Sequence, residues 1–67
     1  MRPTITEREG EVLQCIADGC STREVAARLY ISRRTVTNHL GSIYRKLEAR
    51  DRTQAVLTAV RMGVVEL

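Results

Sequence analysis

The apolar residues of this 67-residue chain recur at helical spacing, and nowhere do they alternate as those of a strand would. Val12, Leu13, Ile16 and Ala17 share one side of a first segment, and Val25, Ala26 and Leu29 share one side of a second. Val36, Leu40, Ile43 and Leu47 line a third, and Ala55, Val56, Ala59 and Met62 a fourth. Start and stop signals separate these stripes. Thr6 with Glu9, Ser21 with Glu24, and Asp51 with Gln54 each place a capping side chain three positions before an acid or amide. That is the spacing of a capping box, in which the two residues satisfy each other's backbone N–H groups at a helix start. Ser32 is a fourth N-cap, with Thr35 in place of the acid. Cys20 before Val25 and Ile31 before Val36 have the spacing of hydrophobic staples. Gly19 and Gly63 stand just past periodic segments, where a left-handed residue closes a helix. The pattern predicts an all-α fold in which residues 1–67 form a single domain. Its four helices are placed at about 7–18, 22–29, 33–47 and 52–62.

The third helix has the most informative pattern. Its apolar stripe falls within about 60° of arc, and Arg34, Asn38, Gly41 and Arg45 lie roughly opposite, with Thr37 and Ser42 on the flanks. A solvated helix face usually mixes charges of both signs, yet this one holds no acid before Glu48. Only Tyr30, Ile31 and Ser32 separate the second and third segments. A short helix, a three-residue turn and a longer helix with a one-sided polar face make a helix-turn-helix, whose second helix enters the major groove of DNA.

Charge supports that reading and composition removes others. The net charge is +3, but it is unevenly spread. Residues 2–22 sum to −2, residues 23–52 to +5 and residues 53–67 to zero, so the positive block spans the second and third helices. Such a block on a small domain is the electrostatic footprint of a nucleic-acid binder. Two tyrosines with no Phe or Trp argue against single-strand binders, which stack bases on aromatic rings. One histidine and two cysteines, with no ligand pairs at metal spacing, leave no expected metal or cofactor. A chain this short has no room for a catalytic cleft, so an enzyme is not expected, nor a small-molecule ligand. Glu9 and Glu11 read as cap and surface groups. Cys15 and Cys20 read as reduced, small apolar groups, Tyr30 and Tyr44 as residues at the rim of the core, and His39 as a packing or phosphate-facing group. No apolar run approaches the roughly 18–20 residues of a membrane span, and the expected location is the cytoplasm, at the nucleoid. From the residues alone, the rival from another class is a helical protein-interaction module whose basic face meets an acidic partner.

The run Ile5-Thr6-x-Arg8-Glu9-x-Glu11-Val12-Leu13, then Ile16-Ala17-x-Gly19-x-Ser21, closely resembles the LuxR-type (GerE/NarL-like) helix-turn-helix domain. The likeness continues through Glu24-Val25-Ala26-x-x-Leu29-x-Ile31-Ser32, Thr35-Val36-x-x-His39, Ile43-x-x-Lys46-Leu47 and Arg52-x-x-Ala55-Val56, in one register over about residues 5–64. The promoter-reading region of sigma factors shares the Arg-Glu-x-Glu-Val-Leu opening, but it lacks the fourth helix and typically has Arg where His39 stands.

The resemblance implies a bacterial transcription regulator domain that binds duplex DNA at inverted half-sites as a symmetric dimer, weak alone and tightened on DNA. RNA polymerase is a further candidate partner. Family members usually carry this module behind a phospho-receiver, as in response regulators, or behind a ligand-sensing domain. The helix-turn-helix would run over about 21–40 and the dimerisation helix over about 52–62. Carried over by position, base reading falls on Thr37, Asn38 and Gly41, with Arg45 on the same face. Phosphate contacts fall on Thr22, Arg23, Arg33, Arg34, Thr35 and Lys46. Thr37 and Gly41 depart from the longer polar residues common in the family, which puts more of the readout on Asn38. Leu57 points away from the core side of the fourth helix, and the resemblance implies a two-fold interface there, with Thr53, Val60, Arg61 and Val64 nearby.

Overall fold

The computed structural model describes residues 4–67. Four helices are present: α1 (Glu7–Ala17), α2 (Thr22–Leu29), α3 (Arg33–Leu47) and α4 (Arg52–Arg61), and the described residues contain no strand. α1 packs against each of the other three helices, and α3 packs against α1, α2 and α4. The core is one cluster, in which Val12, Leu13, Val25, Val36, Ile43 and Ala59 are wholly buried. With an interior this small, removing one such side chain (about 2–5 kcal/mol for Leu→Ala) costs as much as the roughly 3–5 kcal/mol the whole core supplies.

The helix starts follow the sequence. Thr6 and Ser21 form complete capping boxes with Glu9 and Glu24. The Ser32 hydroxyl accepts from the Thr35 N–H at 3.0 Å, and the two hydroxyls share a further bond at 2.9 Å. The fourth start differs from expectation. Asp51 caps the Gln54 N–H, but the Gln54 amide oxygen accepts from Arg50 instead of reaching Asp51, so the box is not closed.

The stops are more varied than two glycines suggest. Gly19 and Gly63 do adopt positive φ, but so do Tyr30 (φ 57°) and Glu48 (φ 53°), which close α2 and α3 without a glycine. At the end of α1 the Cys20 N–H donates to the Cys15 carbonyl and the Gly19 N–H to that of Ile16. This is a Schellman motif, which sets its third-from-last helical residue against the second residue past the cap. Here those two positions are Cys15 and Cys20, both buried free thiols. Burial, and then the neighbouring Cys20, push the Cys15 thiol up and keep it protonated.

Three expectations about the core and its rim are corrected. Met62 was expected inside but is 46% exposed, because it caps α4 and projects past the last turn. The chain then turns at Gly63, and Val65 enters the core in its place. The Gln14 side chain holds this tail, donating to the Glu66 carbonyl and accepting its N–H. Tyr30 was expected at the core rim, but its left-handed backbone turns it outward and leaves it 94% exposed. Tyr44 does pack against the core.

The third correction concerns Glu9, which is a buried carboxylate and not a surface group. Its Oε1 accepts from the Thr6 N–H (2.8 Å) and the Lys46 ammonium (2.7 Å), and its Oε2 from the Ser42 hydroxyl (2.8 Å). Burial alone would raise its pKa. The bonds from Lys46, the Thr6 backbone, Ser42 and the Thr6 side chain outweigh that and hold it at about 2, against an ordinary 4.5. A folded-state pKa below the unfolded one contributes stability that is complete above about pH 5 and lost as the pH falls toward 2. For this shift the amount is about 3 kcal/mol. Urea unfolding of the wild type should therefore lose stability steeply between pH 5 and 2. Glu9→Gln should be less stable at pH 6 and lose most of that acid dependence, and an unchanged slope in the variant would contradict this account.

Candidate nucleic-acid interface

α2, the turn at residues 30–32 and α3 form the helix-turn-helix, and local chemistry sets its geometry. α2 ends when Tyr30 takes the left-handed conformation, and the Ile31 N–H then donates back to the Ala26 carbonyl at 3.1 Å. Ile31 packs against the core, and Ser32 immediately starts α3. With Val36, Leu40 and Ile43 buried, the opposite face is fixed outward. Arg33, Arg34, Thr37, Asn38 and Arg45 are all exposed on α3, as is Arg23 on α2.

The basic block separates into engaged and free cations. Arg28 pairs with Asp18 (3.8 Å), and Lys46 pairs with Glu9 while also donating to the Thr4 carbonyl at 3.0 Å. Arg52 crosses from the start of α4 to the Cys20 carbonyl (3.5 Å) and the Thr22 hydroxyl (3.4 Å). Arg23, Arg33, Arg34 and Arg45 take part in no ion pair among the described residues. Arg33 and Arg34 also sit in the first turn of α3, which holds no acid, whereas α1 and α2 each carry Glu there. The N-terminal end of a helix has a partial positive charge, so two arginines at that end are unfavourable until an anion arrives.

Each expected site residue has a definite place. Thr22 is half-buried at the start of α2, its hydroxyl already accepting from Arg52. Thr35 is half-buried in the α3 cap. Thr37 turns its hydroxyl back to the Arg33 carbonyl at 3.1 Å, which leaves its lone pairs outward. Gly41 has open space around it, since a Cβ built there would meet nothing within 4 Å, and its φ is not one that demands glycine. Nothing within the domain therefore requires glycine at this position. His39 is half-buried beside the outward face. Ser42, expected on the flank of that face, is tied down to Glu9.

On α4, Thr53, Leu57 and Arg61 are exposed, with Leu57 at 49%, while Val60 and the following Val64 are half-buried against the core. Leu57 borders a shallow groove with Ile16, Ala17, Thr53 and Val56, on the side where α1 ends and α4 begins. The sequence names Glu9 as a cap, Ser42 on the flank of α3 and Arg52 in the motif of the fourth helix, but not the long-range contacts that Glu9 makes with Ser42 and Lys46 or Arg52 with Cys20 and Thr22. A buried acid at the third position of a helix looks, in sequence, like an ordinary cap. Among the described residues no group of three His, Cys, Asp or Glu could hold a metal, and no helix is long and apolar enough to cross a membrane.

The profile of the GerE family, bacterial regulatory proteins of the luxR family, matches residues 3–59. The spore germination protein GerE of Bacillus subtilis is 41% identical over 66 residues, covering 98% of this chain and 89% of GerE. The transcriptional regulatory protein DegU of Brevibacillus brevis is 46% identical over 63 residues, covering 94% of this chain but 27% of DegU. The response regulator VraR of Staphylococcus aureus is 44% identical over 62 residues, or 30% of its length. The chain thus spans little more than a quarter of DegU and VraR. Among solved structures, the transcription factor GerE superposes with a TM-score of 0.87 at 36% identity, covering 91% of both chains. The response regulator ChrA of a heme-sensing two-component system gives 0.90 at 41% identity, covering 96% of this chain and 32% of ChrA. These relatives are regulatory proteins and not enzymes. With the match running through all of α1 to α3 and most of α4, the chain belongs to the luxR family of bacterial regulatory proteins, as a helix-turn-helix DNA-binding domain of the transcriptional-regulator type.

Proposed function

We propose that this domain reads specific duplex sequences by inserting α3 into the major groove, and that two copies bind inverted half-sites through a two-fold contact on α4. The observation that carries this is the outward face of α3, where unpaired arginines and no acid surround Asn38. A groove about 12 Å wide admits one helix with its side chains, about 10–12 Å across. Asn38 is the principal base reader, because an amide can bridge N6 and N7 of adenine. Thr37 and Arg45 contact neighbouring bases, and Gly41 lets the helix backbone approach closely. Arg23, Arg33 and Arg34 hold phosphates, with the hydroxyls of Thr22 and Thr35 at the two helix starts. The domain measures 31 × 22 × 21 Å, so two copies side by side can present α3 helices one DNA turn, about 34 Å, apart. Thr53, Leu57, Val60, Arg61 and Val64 form the contact between copies. That patch is small beside the roughly 1,600 Å² of a standard interface, so pairing is weak until DNA aligns the copies. Such a regulator works at the nucleoid in the cytoplasm, beside RNA polymerase.

Affinity should fall steeply between about 50 and 200 mM salt as condensed counterions are released. Arg34→Ala should weaken all duplexes alike and flatten the salt slope by about one, whereas Asn38→Ala should relax preference at one base pair by about tenfold. Site selection from a random duplex library reads both effects, and an Asn38→Ala protein that selects the wild-type site would refute the readout assignment. Leu57→Asp should leave the fold and single half-site binding intact while abolishing cooperative binding to a double site. Sedimentation showing a tight dimer without DNA that survives Leu57→Asp would count against the α4 interface.

A further inference from the structure

The apolar stripe of α3 attaches it to the core, but apolar contact is non-directional and tolerates small rotations of the helix about its own axis. Base reading does not. A side-chain tip about 6 Å from the axis moves about 1 Å for each 10° of rotation, roughly twice the tolerance of a preorganised site. A directional restraint is therefore needed, and the contacts of Glu9 supply one.

Ser42 and Lys46 are four residues apart on α3 and so share a face. Both donate to the same carboxylate, Ser42 to Oε2 at 2.8 Å and Lys46 to Oε1 at 2.7 Å. Glu9 is itself immobilised by its capping box, with the Thr6 N–H on Oε1 at 2.8 Å and its own N–H on the Thr6 hydroxyl at 3.1 Å. The Thr4 carbonyl takes a second proton of Lys46. The two α3 residues held in this way each follow directly after an outward-facing position, Gly41 and Arg45. A carboxylate fixed in the first turn of α1 thus grips α3 at two points one turn apart, on the flank of the face that meets DNA.

We propose that Glu9 is a positioning residue for sequence readout: through Ser42 and Lys46 it sets the rotation of α3, and the charge of Lys46 acts inside the domain and not on a phosphate. This rests on the reading of α3 as the groove-bound helix, and it replaces the expected phosphate role of Lys46. An ammonium already neutralised by a carboxylate displaces no counterion from DNA, so its removal should leave the salt dependence of binding unchanged. Loss of the grip should harm the duplex whose bases are read and spare one held only by its phosphates.

The test measures dissociation constants by fluorescence anisotropy, for a duplex selected by the wild type from a random library and for a random-sequence duplex of equal length. Circular dichroism sets a temperature at which each variant is folded. Lys46→Met and Glu9→Gln should each weaken the selected duplex by about tenfold and the random duplex by less than about twofold, and the double variant should be no worse than either, as for residues acting as one unit. Lys46→Arg should restore most of the loss. The salt slope should match the wild type for Lys46→Met and Lys46→Arg. The proposal is overturned if Lys46→Met weakens both duplexes equally and flattens the slope by about one, as a phosphate contact would. It is equally overturned if Glu9→Gln tightens binding by releasing Lys46. Should both variants fail to fold, Ser42→Ala removes a single bond of the grip; a loss of about threefold confined to the selected duplex supports the proposal, and equal loss on both or none refutes it. A wild type with no preference between the duplexes would instead remove the groove-reading assignment on which the inference stands.

Discussion

The carboxylate of Glu9 is the point on which the rest of the domain depends. It is the one buried charge among the described residues, and each of its oxygens is used. A buried charge without partners would cost several kcal/mol, and a domain with a core this small has no margin to absorb that. The Thr6 N–H, Ser42 and Lys46 together offset that cost. Because those groups belong to the start of α1 and the middle and end of α3, the same requirement that stabilises the domain also fixes the outer face of α3. Stability and presentation of the polar face are one constraint.

The other end of α3 shows the opposite bias. Its first turn carries Arg33 and Arg34 with no acid, where the backbone's own partial charge is already positive. α1 and α2 place Glu in the equivalent turn and close a capping box with it. α3 instead uses Ser32 and Thr35, a neutral cap that satisfies the backbone without adding negative charge. The helix thus carries two unpaired cations in its first turn, while in its last turn Arg45 is unpaired and Lys46 is neutralised by α1. An anionic ligand is favoured at the first turn and gains nothing from Lys46.

Most of this architecture is legible in the sequence, because its signals are local. Capping residues three before an acid, apolar positions at helical spacing and glycines after the last turn place every helix within a residue of its observed ends. The three-residue turn and the acid-free face of α3 point to duplex DNA from residue order alone. What is not legible depends on contacts between distant segments. Thr6 and Glu9 predict a cap equally well whether the glutamate faces water or, as here, receives Ser42 and Lys46 from thirty-odd residues away. Lys46 looks like another member of a basic block for the same reason. The burial of Val65 is hidden because it follows from the turn at Gly63 and the grip of Gln14 on the tail. Tyr30 and Glu48 are hidden as helix ends because a left-handed residue is announced in sequence only when it is glycine.

If Glu9 positions α3 as proposed, the Glu9–Lys46 pair persists while α3 engages DNA. Carbon-13 NMR of the Glu9 side-chain carboxyl, read together with backbone amide shifts during titration with the selected duplex, measures both parts in one sample. The account predicts that amides at the start of α2 and along residues 33–41 shift while the Glu9 carboxyl resonance stays where it was in the free domain. A Glu9 resonance that moves as DNA is added, with Lys46 transferring from the carboxylate to a phosphate, would contradict it.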